Sequence, residues 1–301
     1  MATAQFPLPP AMLEGTQPGA ATKRRRRHWN TADTAATIGL AIVLTLLVLA
    51  VFAPVIAPYD PKARVDKPFL PPSAAHWLGT NDIGQDIFSE IIFGARVSLL
   101  VGAVAAFVAL LVGTTVGLLA GFYPRRFGPL LMRLVDVILV LPFLPLLIIL
   151  AAYLGKSLLN TTLIIGCLIW AGSARVIRSQ VLTLSNQEYV EAARSIGARD
   201  RHIMVRHILP LVLLLAMGQF VQATSSAILL EASLSFLGLG DPLQKSWGSI
   251  LYWAQVRGAF LTPAWLWWVL PPGLMIGAAS LGFAMIGFAL EQVINPRLKQ
   301  G

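Results

Sequence analysis

The sequence predicts an all-α membrane protein with about six transmembrane helices, and three observations carry that fold class. Apolar residues make up 56% of the 301 residues and charged residues only 12%, against the roughly 25% charge of a soluble domain. The mean hydropathy is +0.71. Six stretches approach or exceed the ~20 apolar residues that cross a bilayer. Basic residues gather in alternate connections between those stretches, as retention of Lys and Arg on the cytoplasmic side requires.

Residues 1–34 read as a disordered, basic cytoplasmic tail, since Pro, Ala and Gly dominate its start and the run Lys23 to Arg27 follows. The apolar stretch behind that run is longer than the core of a cleavable signal, so it is expected to stay as the first helix. The candidate spans are residues 35–57, 97–122, 130–154, 158–174, 208–230 and 264–290. The chain then divides into the tail, a first helix with an outer segment (35–96) and a core (97–292) with a cytoplasmic loop at 181–210. A cytoplasmic C-terminal tail (293–301) closes it. Placing both termini inside puts sixteen of the 23 Lys and Arg residues on the inner side and seven outside, which supports an N-in, C-in topology.

The two long outer segments, 58–96 and 231–263, mix Pro, Gly and aromatic residues and are expected to pack on the outer face. Trp265, Trp267 and Trp268 fit an interfacial aromatic belt. Gly113, Gly117 and Gly121 recur every four residues, leaving one face of the second helix nearly bare backbone for close helix packing; Gly273 and Gly277 repeat the pattern in the last helix.

In a soluble chain the net charge of +9 would suggest an anionic partner such as nucleic acid. Here the cations lie in connections beside lipid, and no nucleic acid is expected. Cys167 is the only cysteine, so no internal disulfide forms. Gly155-Lys156-Ser157 resembles the end of a phosphate-binding loop, but Leu150 stands where that loop needs Gly. His202 and His207 are five apart rather than four, and no metal site is expected. None of the six spans contains histidine, which argues against an intramembrane hydrolase, and no internal repeat suggests a self-contained transporter. Three charged residues near the spans are site candidates. Arg133 and Asp136 either pair with each other or form a gate contact, and Glu231 either binds cargo or braces the outer loop.

The loop at 181–210 is dense in charge. Ser185 and Glu188 fit a capping box that would start a short helix near Asn186. Glu188, Glu191 and Ala192 would share a face with Ser195, and Gly197 would interrupt the helix. Asp200 could cap a second helix leading to Pro210, which suits a first helical turn. Such helices either present a face to a soluble partner or serve as a solvated connector.

The residues go further. EYVEAARSIGARDRHIMVRHILP, residues 188–210, resembles the EAA loop of bacterial ABC importer permeases, in which Glu-Ala-Ala, three residues, Gly, nine residues and Ile-x-Leu-Pro follow one another. Glu191, Ala192, Ala193, Gly197, Leu209 and Pro210 match in position, while His207 occupies the Ile slot; Ser195 and Ala198 lie within the same segment. HWLGTNDIGQDIFSEIIFGARVSLLVG (76–102), EASLSFLGLG (231–240) and Trp247-Gly248 are similar to the outer motifs of dipeptide and oligopeptide permeases of the second-subunit type, with Gln85 in place of the usual Arg. Residues 287–295 lack the family's Gly-Asp-Gly-Leu-Arg run, and Asn295-Pro296-Arg297 keeps its closing pattern.

That resemblance implies a type I ABC importer (MetI-like) permease fold in the bacterial inner membrane. It implies a non-catalytic subunit that moves di- or oligopeptides, with a homologous second permease, two ATP-binding subunits and an external, periplasmic substrate-binding protein as partners. No cofactor would be bound by this chain, since ATP and Mg would sit on the ATPases. Glu191, Ala192, Ala193, Ser195, Gly197, Ala198, Leu209 and Pro210 would form the coupling helix seated in an ATPase groove.

Overall fold

The computed structural model describes residues 31–125 and 127–294, so Lys23 to Arg27, Arg126 and Asn295-Pro296-Arg297 lie outside the described residues. α1 (Thr31–Val51) and the short α2 (Ala53–Ile56) form the first span and its end. The helix already includes residues 31–34, assigned from sequence to the tail. α3 (Ile87–Phe122) is 36 residues long, or about 54 Å at 1.5 Å per residue, well beyond the ~30 Å hydrocarbon core. It starts ten residues before the expected boundary because Asp86 caps it, accepting the Ser89 backbone N–H at 2.8 Å.

The third expected span is not one helix. α4 (Gly128–Val140) and α5 (Phe143–Leu154) meet at 89°. Pro142 follows Leu141, whose backbone is extended (ψ 139°), as a residue before proline prefers; Pro142 also lacks the N–H that would continue the ladder. The two halves together are long and apolar enough to cross, but the ring broke the rod.

α6 (Leu158–Ser185) starts where expected and runs eleven residues past the predicted end. Ser157 of the Gly-Lys-Ser triplet caps it through its hydroxyl, which accepts the Asn160 N–H at 3.1 Å. The extension continues because Ile177 and Val181 on it are fully buried. After α7 (Glu188–Ser195) and α8 (Asp200–Ile203), a π-helical turn at Met204–Ile208 leads into α9 (Leu209–Phe236). From Asp200 to Phe236 these make one continuous stretch of 37 residues. α10 (Trp247–Val256) follows, then a second π turn at Trp265–Val269, and α11 (Leu270–Ile294). Both π turns stand just before prolines, Pro210 and Pro271-Pro272. A widened turn accommodates a residue that cannot donate to the ladder.

Among the described residues there are five helices long and apolar enough to cross a membrane, or six if the bent pair counts as one span, and no strand beyond an isolated bridge between Thr80 and Asp86. α3 is central, flanked by α6 and α9, while α11 packs on α9 and α1. A Cβ on Gly113, Gly117 or Gly121 would lie 3.0 Å from the Trp170 carbonyl, 2.6 Å from the Ala174 carbonyl or 2.6 Å from the Val181 Cβ, all on α6. The α3–α6 seam closes only because those positions lack side chains. Gly273 and Gly277 differ, for nothing lies within 4 Å of a Cβ there. Trp268 also departs from the aromatic-belt expectation: it is 1% exposed and meets Phe69 edge-on at 6.0 Å, while Trp265 stays exposed.

The two long connections pack on each other at the end away from the basic segment. Lys245 Nζ donates to Glu90 at 2.6 Å and to Gln85 at 2.9 Å, and Asn81 donates to the same Glu90 oxygen at 3.0 Å. The Trp247 indole donates to the Ile91 carbonyl at 3.0 Å. Buried charge needs such partners.

Candidate functional site

The basic segment turns two faces to different surroundings. On one face Val190, Ile203 and Ile208 are fully buried, packed with Leu118 and Phe122 of α3, Ile177 and Val181 of α6, and Val212 and Ala216 of α9. Burying such a side chain contributes about 1.5–3 kcal/mol each relative to exposure in water. The segment is therefore held against the helix ends rather than hanging as a solvated connector. On the other face Glu188, Tyr189, Glu191, Ala192, Ser195 and Ile196 are exposed, Ile196 to 87%.

Local geometry explains which members of the Glu-Ala-Ala-x₃-Gly pattern serve the fold. Gly197 has φ +83°, its N–H donates to the Arg194 carbonyl at 3.0 Å, and the Ala198 N–H donates to the Ala193 carbonyl at 3.0 Å. These two bonds are a Schellman cap, which needs a left-handed residue just past the helix. Ala193 and Ala198 are the half-buried pair that packs beneath it. Ser195 Oγ returns to the Glu191 carbonyl at 3.0 Å. The Arg194 guanidinium lies 5.5 Å from the centre of the Phe122 ring, a cation–π contact to the end of α3. The Ala192 carbonyl accepts the Ile196 N–H at 3.2 Å, but the side chains of Glu191 and Ala192 take no part in the cap and remain on the open face.

The expected capping box is absent. Ser185 is the last residue of α6, its hydroxyl has no partner, and Gln187 occupies the cap position of α7 without a side-chain bond. The cap lies two residues later than the Ser-x-x-Glu spacing suggested, which places Val190 rather than Glu188 at the third helical position. Asp200 is the first residue of α8 rather than its cap, with Arg199 before it; its carboxylate still favours the positive end of the helix dipole. Leu209 and Pro210 stand at the junction of the π turn and α9, so the second half of the segment is continuous with a membrane-spanning rod.

Arg133 and Asp136 do not pair. Asp136 accepts from Arg175 on α6 at 2.6 Å, both side chains being more than half exposed. A partner 39 residues away replaces the one three residues away, because α4 lies across α6. Glu231 is 2% exposed; Ser235 Oγ donates to it at 2.7 Å and Ser98 Oγ at 3.3 Å. That geometry makes it a brace between α9 and α3. Among the described residues no group of three His, Cys, Asp or Glu could hold a metal. The residues that sequence reasoning passed over are the anchors Val190, Ile203 and Ile208; β-branched character alone does not mark them, since Ile196 and Val205 of the same loop are exposed.

Comparison with known proteins agrees in extent and kind. Residues 113–300 match the family described as binding-protein-dependent transport system inner membrane component, and residues 31–72 match the N-terminal TM domain of oligopeptide transport permease C. The chain is 40% identical to the di/tripeptide transport system permease protein DppC of Pseudomonas aeruginosa, over 87% of this chain and 88% of that protein. It is 34% identical to the oligopeptide transport system permease protein OppC of Bacillus subtilis, over 88% and 86%. The glutathione transport system permease protein GsiD of Pectobacterium atrosepticum is 36% identical over 85% of each chain. A polytopic bundle, a basic segment docked on its helix ends and matches over most of the length agree: the chain belongs to the binding-protein-dependent transport system inner membrane component family, as a multi-pass ABC importer permease of the dipeptide and oligopeptide branch.

Proposed function

We propose that this chain moves di- or oligopeptides inward across the bacterial cytoplasmic membrane, driven by partner ATPases that grip α7. The observation that carries the reading is the two-faced basic segment: Val190, Ile203 and Ile208 fix it to the bundle, while Glu191 and Ala192 stay exposed. Through the Schellman turn at Gly197, α7 is joined to a 37-residue stretch ending at Phe236, about 55 Å long if fully helical. A push on α7 therefore acts on one end of a stiff rod that crosses the bilayer, as alternating access requires. In this reading Glu191 is a charged anchor and Ala192 permits close approach to the ATPase groove.

The full assembly pairs this chain with a homologous second permease, two ATPases carrying the ATP and Mg, and an external binding protein. The chain itself binds no cofactor and catalyses nothing. The excess of basic residues in the inner connections supports both termini in the cytoplasm. Peptide cargo rests on the relatives' names, which include a glutathione permease, glutathione being itself a small peptide.

The test is Ala192→Trp in the chain co-expressed with its partners. Membrane insertion should persist, and co-purification of the ATPases and peptide uptake should both fall at least about fivefold, since overpacking a tight contact costs ~1–3 kcal/mol. Unchanged values for both would reduce the segment to a connector. A reporter fused after Gly301 reads the orientation in the same strain, and activity only on the outer side would overturn it.

A further inference from the structure

A cavity of about 550 Å³ opens between α6, α9 and α11, and Gly172, Ser173, Gln219, Gln222, Ser226 and Glu291 are among the residues that line it. Gln219, Gln222 and Ser226 follow one another at intervals of three and four, so they form one stripe along α9. Gln222 is the fourteenth of the 28 residues of α9, about 20 Å from either end and so close to the bilayer midplane.

Gln222 is exposed and Gln219 half-exposed, and among the described residues neither amide group hydrogen-bonds within the chain. An amide left without partners in hydrocarbon costs several kcal/mol. Such groups persist at that depth only where they face water, cargo or another subunit. Apart from Ser173 and Glu291 the rest of the wall is apolar or bare, with Ile169, Val176 and Leu215 beside Gly172 and Gly218. Glu291 is the only ionisable residue among those lining the cavity; it stands near the C-terminal end of α11, one turn past Gly287, where a Cβ would lie 3.3 Å from Gln222 Oε1.

We propose that this cavity is the chain's own wall of the translocation path, and that Gln219 and Gln222 hydrogen-bond the backbone of the passing peptide. The inference rests on the peptide-import reading above and adds to it how cargo is recognised within the membrane. A carboxamide offers two donors and two acceptor lone pairs, which match the N–H and C=O that every peptide bond presents. The stripe itself carries no fixed charge, so its carboxamides select neither terminus nor any charged side chain. The wall accepts peptides as a class and leaves the choice among them to the binding protein.

The experiment uses the assembled complex in proteoliposomes, with trialanine and its backbone N-methylated analogue, each delivered at saturating, separately measured loading of the binding protein. The double variant Gln219→Leu/Gln222→Leu should slow trialanine transport about fivefold to tenfold, the equivalent of one net hydrogen bond. Co-purification of partners and binding-protein-stimulated ATP hydrolysis should be retained, and Gln219→Asn/Gln222→Asn should keep most of the transport. The wild-type complex should move the N-methylated peptide more slowly, and that difference should vanish in the Leu variant. Wild-type rates in the Leu variant would overturn the proposal. Loss of the second permease on purification would overturn it too, by showing the stripe to be a subunit seam.

A cargo-independent measurement separates this inference from the reading beneath it. Gln222→Cys in a Cys167→Ser background should react with a water-soluble maleimide in the assembled complex. Protection from the reagent would sink the cavity as a path even if peptides are carried. Labelling in a complex that carries no trialanine would keep the aqueous cavity but sink peptide recognition by the stripe, together with the peptide-import reading.

Discussion

α7 ends in Glu191-Ala192-Ala193-Arg194-Ser195-Ile196-Gly197, and α9 ends in Glu231-Ala232-Ser233-Leu234-Ser235-Phe236-Leu237-Gly238. Both close with the same Schellman cap. At the second, Gly238 has φ +76°, its N–H donates to the Ser235 carbonyl at 3.0 Å, and the Leu239 N–H donates to the Leu234 carbonyl at 2.9 Å. Their surroundings are opposite. Glu231 and Ala232 are buried under α10, where a Cβ on Gly248 would come within 2.6 Å of the Ala232 carbonyl, whereas Glu191 and Ala192 are open. A Cβ on Gly238 would meet the Tyr252 ring at 2.7 Å, and one on Gly197 meets nothing within 4 Å. The same local chemistry thus closes a buried end at one side of the molecule and an exposed one at the other. The proposed ATPase contact falls on the exposed one.

The largest effect that distinguishes the two ends is expected from Gly238→Val. Left-handed backbone strain of ~1 kcal/mol adds to overpacking against Tyr252 of ~1–3 kcal/mol. Thermal unfolding of the purified protein in detergent should report a loss of about 2–4 kcal/mol, and a smaller loss than that of Gly197→Val would break the comparison. Next comes Glu231→Ala, which leaves the Ser98 and Ser235 hydroxyls without their acceptor. A loss near 2–3 kcal/mol follows from two buried hydrogen bonds, with assembled complexes retaining coupling per folded molecule. If Glu231→Ala were as stable as the parent but failed in transport, Glu231 would be a pathway residue rather than a brace.

Gly197→Val should have the smallest effect on stability, about 1 kcal/mol from the positive φ alone, because the space around it is empty. Its effect on ATPase co-purification and uptake should nevertheless exceed that of Gly238→Val, measured per folded molecule. Equal ratios of coupling to stability in the two variants would erase the functional difference between the two caps.

Several features were legible because they depend only on nearby residues or on sums along the chain. Five of the six expected spans contain long apolar helices, since length and hydropathy decide whether a segment can cross lipid. Gly197 turned the chain where the pattern placed it, as a left-handed position needs no distant partner. The break at Leu141-Pro142 was also written in the sequence, though apolar counting overlooked it.

What the sequence by itself determined, then, was which segments enter the membrane, where helices stop, and the Glu-Ala-Ala-x₃-Gly pattern that marks the family. The tertiary structure alone decided which charges meet. Asp136 joins Arg175, 39 residues on, and Glu90 joins Lys245, 155 residues on, because helix crossing and loop packing, not spacing, bring those groups together. It also decided that Glu231 is enclosed and Glu191 open, and that Gln219 and Gln222 face a common cavity. Burial is a property of what lies across from a residue, and neighbours along the chain cannot supply it.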